Sequence, residues 1–208
     1  MDLGLCCGPF WRRENVMGDK KMLAILGSPR THGNIASMLY CAVKEAERLG
    51  YQVDVVNLYE KKIGYCRGCM GCKQSGICVI EDDLGEICGL LKECDVVVLA
   101  APVYFANVPG IVKNLFDRLV GAVMDDNDSP VPKPRLSRKQ TYYLLTACST
   151  PFPFSALCGQ STGAIRAMKE FFHISGMRFG GAAVFAGTRN RTGLDEKMQK
   201  KIKRMIGR

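Results

Sequence analysis

The chain has 208 residues, of which 47% are hydrophobic, and a net charge of +9. This length favours one domain around a single core. The eleven cysteines would be typical of a disulfide scaffold in a short secreted protein, but no charged segment followed by an apolar one of the secretory type is present. We therefore expect a reducing, cytoplasmic location. No apolar run reaches the roughly 18 to 20 residues that span a bilayer, so no membrane partner is expected.

The positive charge is concentrated near the carboxyl end of the sequence. Residues 188–208 contain eight Lys or Arg and two acids, which is +6 of the +9. Elsewhere no basic stripe is interleaved with aromatic residues, as a nucleic-acid site would require. We interpret this segment as a basic helix with a solvated or subunit-contacting face, and we expect no nucleic-acid partner.

The first predicted strand and helix are joined by a polar loop. Residues 1–21 show no regular periodicity and are predicted to be an extension, so that the domain covers residues 22–187. Residues 23–26 predict a strand and residues 35–49 a helix, and the loop between them reads GSPRTHGN at 27–34. Such a loop directs backbone N–H groups, hydroxyls and a positive helix end at one point, which suits a phosphate.

The glycines of this phosphate loop (residues 27–34) match neither the dinucleotide fingerprint nor the nucleoside-triphosphate P-loop. A single terminal phosphate is therefore the predicted ligand. An ordinary polar turn in which Asn34 caps the helix is the alternative.

A run of four cysteines follows the second predicted strand, at residues 51–58. This cysteine loop (residues 66–78) has the spacing C-x2-C-x2-C-x5-C. Such compact spacing allows one short loop to wrap thiolates around a single metal centre, as in iron–sulfur ligand runs. The predicted ligands are Cys66, Cys69, Cys72 and Cys78. Acids at 81–83 then begin a helix with apolar positions from 84 to 91.

The second half of the sequence continues the alternation of strands and helices. Residues 95–101 form a continuous β-branched run, typical of a strand buried on both faces of a parallel sheet. Three loops separate the elements that follow. They are residues 102–109, named the ring loop for the planar ring that it is expected to line, a proline-rich surface loop, and residues 147–159, named the third loop. Those elements are a helix from 111 to 120, the surface loop at 125–139, a strand at 141–146, a helix at 161–174, a strand at 178–185 and a basic helix at 194–206.

Five strands alternating with helices predict an α/β fold with an open parallel sheet covered on both faces. Ligands of such sheets bind outside the carboxyl ends of the strands, so the phosphate loop, ring loop and third loop should converge. The first would hold a phosphate, and Tyr104 and Phe105 of the second would line a planar ring. This division suits a phosphorylated aromatic cofactor, most simply FMN.

The phosphate loop, the PVYF motif at 102–105 and the cysteine run together resemble the flavodoxin-like NAD(P)H-dependent FMN reductases, specifically the iron–sulfur flavoproteins, over residues 22–186. The resemblance implies a flavodoxin-like fold, FMN, a [4Fe-4S] cluster on the four cysteines and electron transfer between the two. It also implies homo-oligomers in which a cluster lies close to flavin. NAD(P)H or a small electron-transfer protein would be the donor.

The resemblance also implies which residues contact FMN. The phosphate would be bound by Ser28, Arg30, His32, Asn34 and the backbone of Ile35, where relatives commonly have a hydroxyl. The ring system would be bordered by Pro102, Val103, Tyr104, Phe105, Ala147, Cys148 and Ser149. No catalytic acid or base is assigned, because the chemistry belongs to the cofactors.

Two alternatives remain at this stage. One is a reductase that uses FMN and NAD(P)H but has no cluster, so that its cysteine loop is redox-active or structural. The other is a binding module with a structural zinc site on the four cysteines. Zinc sites usually have C-x2-C pairs divided by a longer spacer, whereas three cysteines at successive steps of three favour a cubane.

Overall fold

The computed structural model describes residues 20–125, 131–191 and 193–208. In chain order its elements are β1 Lys21–Leu26, α1 Asn34–Arg48, β2 Gln52–Asn57, a 3₁₀ turn Leu58–Glu60, α2 Cys72–Ser75, α3 Leu84–Glu93, β3 Val96–Pro102, α4 Gly110–Val123, β4 Met124–Asp125, β5 Lys133–Pro134, β6 Thr141–Cys148, α5 Phe154–Leu157, α6 Gln160–Ile174, β7 Arg178–Ala186 and α7 Glu196–Ile206.

Five parallel strands form the central sheet in the order β2-β1-β3-β6-β7. The predicted flavodoxin-like α/β fold is confirmed. The first six residues of β3 and all eight of β6 are buried, as expected for strands covered on both faces. Leu26 pairs with Ala100, and Pro102 pairs with Ala147, so β1, β3 and β6 end close to the same edge of the sheet.

Two hydrophobic clusters lie on opposite faces of the sheet. Helices α3, α4 and α6 cover one face, where Ile87, Leu115 and Phe172 are fully or almost fully buried. Helices α1 and α7 cover the other face, where Met38 and Ile202 are buried. The carboxyl-terminal basic helix therefore shares a core with the sheet, while its lysines stay at the surface. Its first turn is capped by Asp195, whose side chain accepts a hydrogen bond from Met198 N at 2.8 Å, so the helix begins at residue 196.

The structure differs from the predicted elements in several places. The segment predicted as a surface loop, 125–139, contains a small antiparallel ribbon in which Met124 pairs with Pro134 and Asp125 with Lys133. A two-residue pairing has no sequence periodicity, which is why it was not predicted. Short helices also form inside the cysteine loop and the third loop. The predicted amino-terminal extension lies outside the described residues up to residue 19, and Lys21 already belongs to β1.

Within the described ranges, no helix combines the length and the hydropathy needed to cross a membrane.

Candidate functional site

The phosphate loop has one buried hydroxyl and several exposed polar side chains. Ser28 is buried directly after β1, and its Oγ accepts a hydrogen bond from the backbone N–H of Arg30 at 3.3 Å. Gly33 N donates to Arg30 O at 3.2 Å, which folds the loop tightly. The side chains of Arg30 and His32 are exposed. They are thus available to an anion that approaches from solvent.

Helix α1 begins beside this loop without a side-chain cap. Gly33, not Asn34, is the N-cap residue, so the alternative interpretation of Asn34 as a cap is wrong. Ser37 N makes the first hydrogen bond of the helix, to Gly33 O at 3.0 Å. The amides of residues 34–36 precede that bond and lie at the positive helix end, where anions bind. Ile35 is buried and its side chain has no polar group, so a phosphate could contact only its backbone N–H.

The side chain of Asn34 connects the phosphate loop to the segment after β7. Its Nδ2 donates to Arg191 O at 2.9 Å, and its Oδ1 accepts from Gly193 N at 3.1 Å. The second hydrogen of the Asn34 side-chain amide and the backbone N–H of Asn34 remain for the predicted phosphate contact. This clamp is a feature that the sequence did not predict, because the partners are 157 and 159 residues apart in the chain.

The ring loop makes a tight turn with two residues in the left-handed region. Tyr104 and Asn107 exchange backbone hydrogen bonds of 2.9 and 3.0 Å, and between them Phe105 and Ala106 have φ of 49° and 60°. Residues other than glycine rarely adopt this conformation, and such strain is concentrated at functional sites. The side chain of Phe105 is fully exposed at the tip. Tyr104 is half-exposed, so both predicted ring contacts face solvent.

The backbone of α6 packs closely against this turn at Gly163. A Cβ atom at position 163 would lie 2.1 Å from Ala106 O, which is too close for any side chain. The missing side chain therefore lets the helix backbone approach the turn. Position 163 was not predicted to belong to the site, because an isolated glycine in a helical pattern does not indicate what it contacts.

Replacing Gly163 with alanine is expected to displace the turn at Phe105 and to lower the free energy of unfolding by about 1–3 kcal/mol, the usual cost of overpacking. We expect FMN binding to weaken as well, measured by fluorescence titration. Gly89→Ala is the matched control, because Gly89 is also helical and its Cβ would meet nothing within 4 Å. That control should leave stability unchanged or raise it by up to about 1 kcal/mol. Equal behaviour of the two variants would contradict the role of Gly163.

The third loop starts later than predicted. Ala147 and Cys148 are the last residues of β6 and are buried, whereas Ser149 is exposed. Burial raises the pKa of the Cys148 thiol, whose Sγ contacts Thr150 O at 3.4 Å. The thiol is therefore buried at the carboxyl end of β6. The backbone of Ala147 is directly linked to the ring loop, since its O accepts from Val103 N at 3.1 Å.

The segment after β7 closes the site on the side of the third loop. Thr188 donates to Cys148 O through both its backbone N and its Oγ1, each at 3.1 Å. Gly187 N donates to Thr150 O at 3.0 Å. Together with the Asn34 clamp, these bonds connect the third loop to the phosphate loop. The structure thus brings the predicted loops to one edge of the sheet and adds a fourth segment, residues 187–193, of which residue 192 is not described.

One tyrosine, Tyr104, belongs to the ring loop, and another, Tyr59, lies in the chain that leads into the cysteine loop. Burial, and secondly the nearby phenol of Tyr104, raise the pKa of Tyr59. Tyr59 belongs to the 3₁₀ turn that follows β2. Helix α4, which begins at Gly110 directly after the ring loop, contacts the start of the cysteine loop, since Asn114 Oδ1 accepts from Cys66 N.

The four predicted metal ligands are at or near the surface. Cys66 and Cys69 are exposed, and Cys72 and Cys78 are partly buried. All cysteines in the described ranges are free thiols. In the same part of the chain, no group of three or more Cys, His, Asp or Glu side chains is arranged to hold a metal ion. The ligand assignment to these cysteines stays a prediction.

The donor chemistry of the cysteine loop fits an iron–sulfur cluster. Residues 66–78 contain four thiols and no carboxylate or imidazole that would compete as a ligand. One sulfur already accepts a hydrogen bond from a cation, since Arg118 Nε lies 3.3 Å from Cys78 Sγ. Thiolate ligands and hydrogen bonds to the sulfurs are the features by which proteins hold and tune such clusters.

Helix α4 holds the cysteine loop at three positions of one face. Asn114 Oδ1 accepts from Cys66 N at 3.4 Å, and its Nδ2 donates to Gly64 O at 3.1 Å. Arg118, one turn later, contacts Cys78. Gly121 follows, and a Cβ there would lie 2.3 Å from Cys72 O. These three positions were missed in the sequence, although their i, i+4, i+7 spacing beside the apolar positions of α4 could have indicated a second contact face.

The charge of Arg118 is balanced by Asp82, which the sequence suggested only as part of an acidic helix start. Arg118 Nη1 lies 2.8 Å from Asp82 Oδ2, and Nη2 lies 3.0 Å from Oδ1. Burial acts to raise the pKa of Asp82, but hydrogen bonds from Arg118 and from the amides of Gly64 and Leu84 outweigh it and lower that pKa overall. Asp82 thus stays ionised and links the end of the cysteine loop to its start.

Comparisons with known proteins give a family match, related sequences and structures of the same fold. The sequence model of the family described as NADPH-dependent FMN reductase matches residues 20–150. An iron-sulfur flavoprotein of Archaeoglobus fulgidus is 46% identical over 100 residues, which are 48% of this chain and 46% of that protein. An iron-sulfur flavoprotein of Methanosarcina thermophila is 36% identical over 100 residues, covering 48% and 52% of the two chains. The chain spans about half the length of these curated relatives.

Solved structures with the same fold include two flavin-related reductases. An FMN-dependent NADH-azoreductase from Bacillus anthracis in complex with FMN superposes with a TM-score of 0.70 at 14% identity, over 90% of this chain and 98% of that chain. An NAD(P)H:quinone oxidoreductase from Methanothermobacter marburgensis gives 0.67 at 12% identity, over 90% and 95%. At such identities the likeness shows the fold alone. The family match covers well over half of the sequence, and the chain therefore belongs to the NADPH-dependent FMN reductase family.

Proposed function

We propose that this protein is an FMN-dependent oxidoreductase that transfers electrons between FMN and a [4Fe-4S] cluster bound by Cys66, Cys69, Cys72 and Cys78. The single observation that supports it best is that α4, the helix that follows the ring loop, contacts a loop that has four thiols and no carboxylate or imidazole. Flavin exchanges two electrons and a cluster passes them singly, so the pair can join two-electron and one-electron partners. The names of the relatives agree with this pairing.

The proposed FMN phosphate site is the loop at the start of α1. Ser28, Arg30, His32 and Asn34 would contact the phosphate together with the backbone of Ile35. This assignment is supported by the amides that precede the first hydrogen bond of α1. The buried Ser28 hydroxyl accepts from Arg30 N and keeps its own hydrogen for a ligand.

The proposed ring site is formed by the ring loop and the end of β6. The isoalloxazine would be bordered by Pro102, Val103, Tyr104 and Phe105, together with Ala147, Cys148 and Ser149. For Cys148 the contact would be through the backbone, because the thiol is buried. The hydrogen bond between Val103 N and Ala147 O joins the two segments directly.

NAD(P)H or a small electron-transfer protein is the proposed donor, and a reducing, cytoplasmic compartment would suit both the cluster and the free thiols. We also propose a homo-oligomer, dimeric or tetrameric, that covers this edge. Ten of the fourteen large exposed apolar side chains among the described residues belong to the segments that follow β2, β3 and β6, and such a concentration is typical of subunit interfaces. They are Tyr59, Tyr65, Met70, Ile77, Val79, Tyr104, Phe105, Phe152, Phe154 and Leu157.

A reductase without a cluster is the second candidate. It is favoured by the exposure of Cys66 and Cys69 and by the fold of the quinone and azo reductases. The FMN loops would function unchanged in such a protein, since none of their described contacts depends on a cysteine of residues 66–78. A structural zinc site on a protein without turnover is the remaining alternative.

Anaerobic purification followed by an absorption spectrum and assays for iron, acid-labile sulfide, zinc and flavin separates these functions. We expect flavin bands together with a broad visible absorbance, and about four iron and four sulfide per chain for a [4Fe-4S] cluster. Flavin without iron or sulfide would support the cluster-free reductase. Zinc without flavin would support the structural site.

A further inference from the structure

A fully buried arginine lies under the cysteine loop. The side chain of Arg118 is 0% exposed and is surrounded by acceptors. Besides the two oxygens of Asp82, these are Gly64 O at 2.6 Å, Ile80 O at 3.2 Å and Cys78 Sγ at 3.3 Å. Every nitrogen of the guanidinium therefore makes at least one hydrogen bond.

The acceptors of Arg118 lie on both sides of the cysteine loop. Gly64 comes two residues before Cys66, and Ile80 comes two residues after Cys78. The planar fork of the guanidinium fixes both positions at once, which the single ammonium of lysine could not do. Arg118 therefore closes the loop at its base, where the chain enters and leaves.

The sulfur contact is not needed to neutralise the buried charge. Asp82 already supplies a bidentate partner through Nη1 and Nη2, and the contact to Cys78 uses the remaining nitrogen, Nε. A buried ion pair is often no more stabilising than apolar residues of similar volume. The buried Nε–H needs an acceptor, and the acceptor it meets is the sulfur of a predicted cluster ligand.

We propose that Arg118 is the positioning residue of the cysteine loop, and that its Nε–H raises the reduction potential of a cluster bound there. The second part depends on the proposed function. Each electron that the cluster gains is one given up by reduced FMN, which NAD(P)H reduces. The added negative charge spreads over the ligand sulfurs, so a cationic donor at Cys78 Sγ stabilises the reduced form more than the oxidised form.

The potential is tested by comparing Arg118→Met with the wild-type holoprotein in a redox titration followed by electron paramagnetic resonance. We expect the one-electron equilibrium to shift about tenfold toward the oxidised cluster, which is about 59 mV more negative. Arg135→Met is the matched control, because Arg135 also holds this region, through Lys73 O at 3.1 Å and Gly121 O at 3.0 Å, without a described bond to a cysteine sulfur. An equal shift in both variants, or none in Arg118→Met, would overturn the tuning role.

Hydrogen exchange of the full chain without metal tests the positioning role independently of any cluster. Arg118→Met should speed amide exchange of residues 63–82 at least about tenfold relative to wild type, with β3 unchanged. If that variant does not fold, Arg118→Lys replaces it in both measurements. Lysine should speed amide exchange similarly, because it lacks the planar guanidinium that holds both ends of the loop. It should keep part of the proposed rise in the reduction potential of the cluster, because it keeps the positive charge.

Unchanged exchange in residues 63–82 would overturn the positioning role. A wild-type chain that binds no iron and sulfide on anaerobic reconstitution would overturn both the proposed function and the tuning role. The exchange measurement would still decide whether Arg118 positions the loop, so the two failures can be told apart.

Discussion

Replacing Cys72 with serine is expected to abolish the broad visible absorbance and the bound iron and sulfide, while FMN stays bound. Cys72 begins α2 and is partly buried against Gly121 of α4, so among the four thiols it is one of the two most firmly placed. Serine oxygen is a poor substitute for a thiolate ligand of iron–sulfur clusters. Absorption spectra and assays for iron, sulfide and flavin on anaerobically purified protein measure the result.

Cys158→Ser provides the control for Cys72→Ser. Cys158 is also a free thiol, but it is exposed after α5 and lies outside the cysteine loop. Its replacement should leave iron, sulfide and flavin unchanged. Loss of FMN together with iron in Cys72→Ser would mean that the cysteine loop is structural. Full retention of iron would mean that Cys72 is not a ligand.

Replacing Arg30 with alanine is expected to weaken FMN binding about 10- to 150-fold. The reason is the loss of the proposed charge-assisted hydrogen bond to the phosphate, a type of bond that contributes about 1.5–3 kcal/mol. The exposed side chain of Arg30 makes no ion pair with a described residue, so little else should change. Flavin fluorescence titration of the apoprotein measures the affinity.

Riboflavin is the decisive control for Arg30→Ala, because it has the same ring and no phosphate. Its weaker binding should be the same in wild type and variant. Arg138→Ala, at an exposed arginine before β6 and hence at the opposite edge of the sheet, should change neither affinity. Equal weakening of FMN and riboflavin would show that Arg30 does not contact the phosphate.

The elements of the sheet could be predicted because their pattern is local. The run 95–101 differs from the observed β3 by one residue at each end, and the helix predicted from 161 begins at Gln160. The predicted ends of strands were less accurate where a tertiary contact determines where the strand stops. The strand predicted at 141–146 continues through Cys148 because β7 pairs with it along its whole length.

The candidate site could be predicted as a set of loops but not as a set of contacts. The phosphate loop and the ring loop were identified because glycine, proline and polar residues follow apolar runs. The turn at Phe105 and Ala106 could not be predicted, since neither residue favours a positive φ in isolation. Room for this turn depends on Gly163, which belongs to a helix far along the chain.

The class of fold, the order of strands and helices and the four closely spaced thiols can be recognised in the sequence alone. These follow from hydrophobic periodicity and residue spacing within short segments. The bonds from Asn34 to the segment after β7 and from Arg118 to Cys78 become visible only in the folded chain. Arginine and asparagine can serve equally well at a surface or in a buried network. Their partners are chosen by the packing of elements that are far apart in the chain.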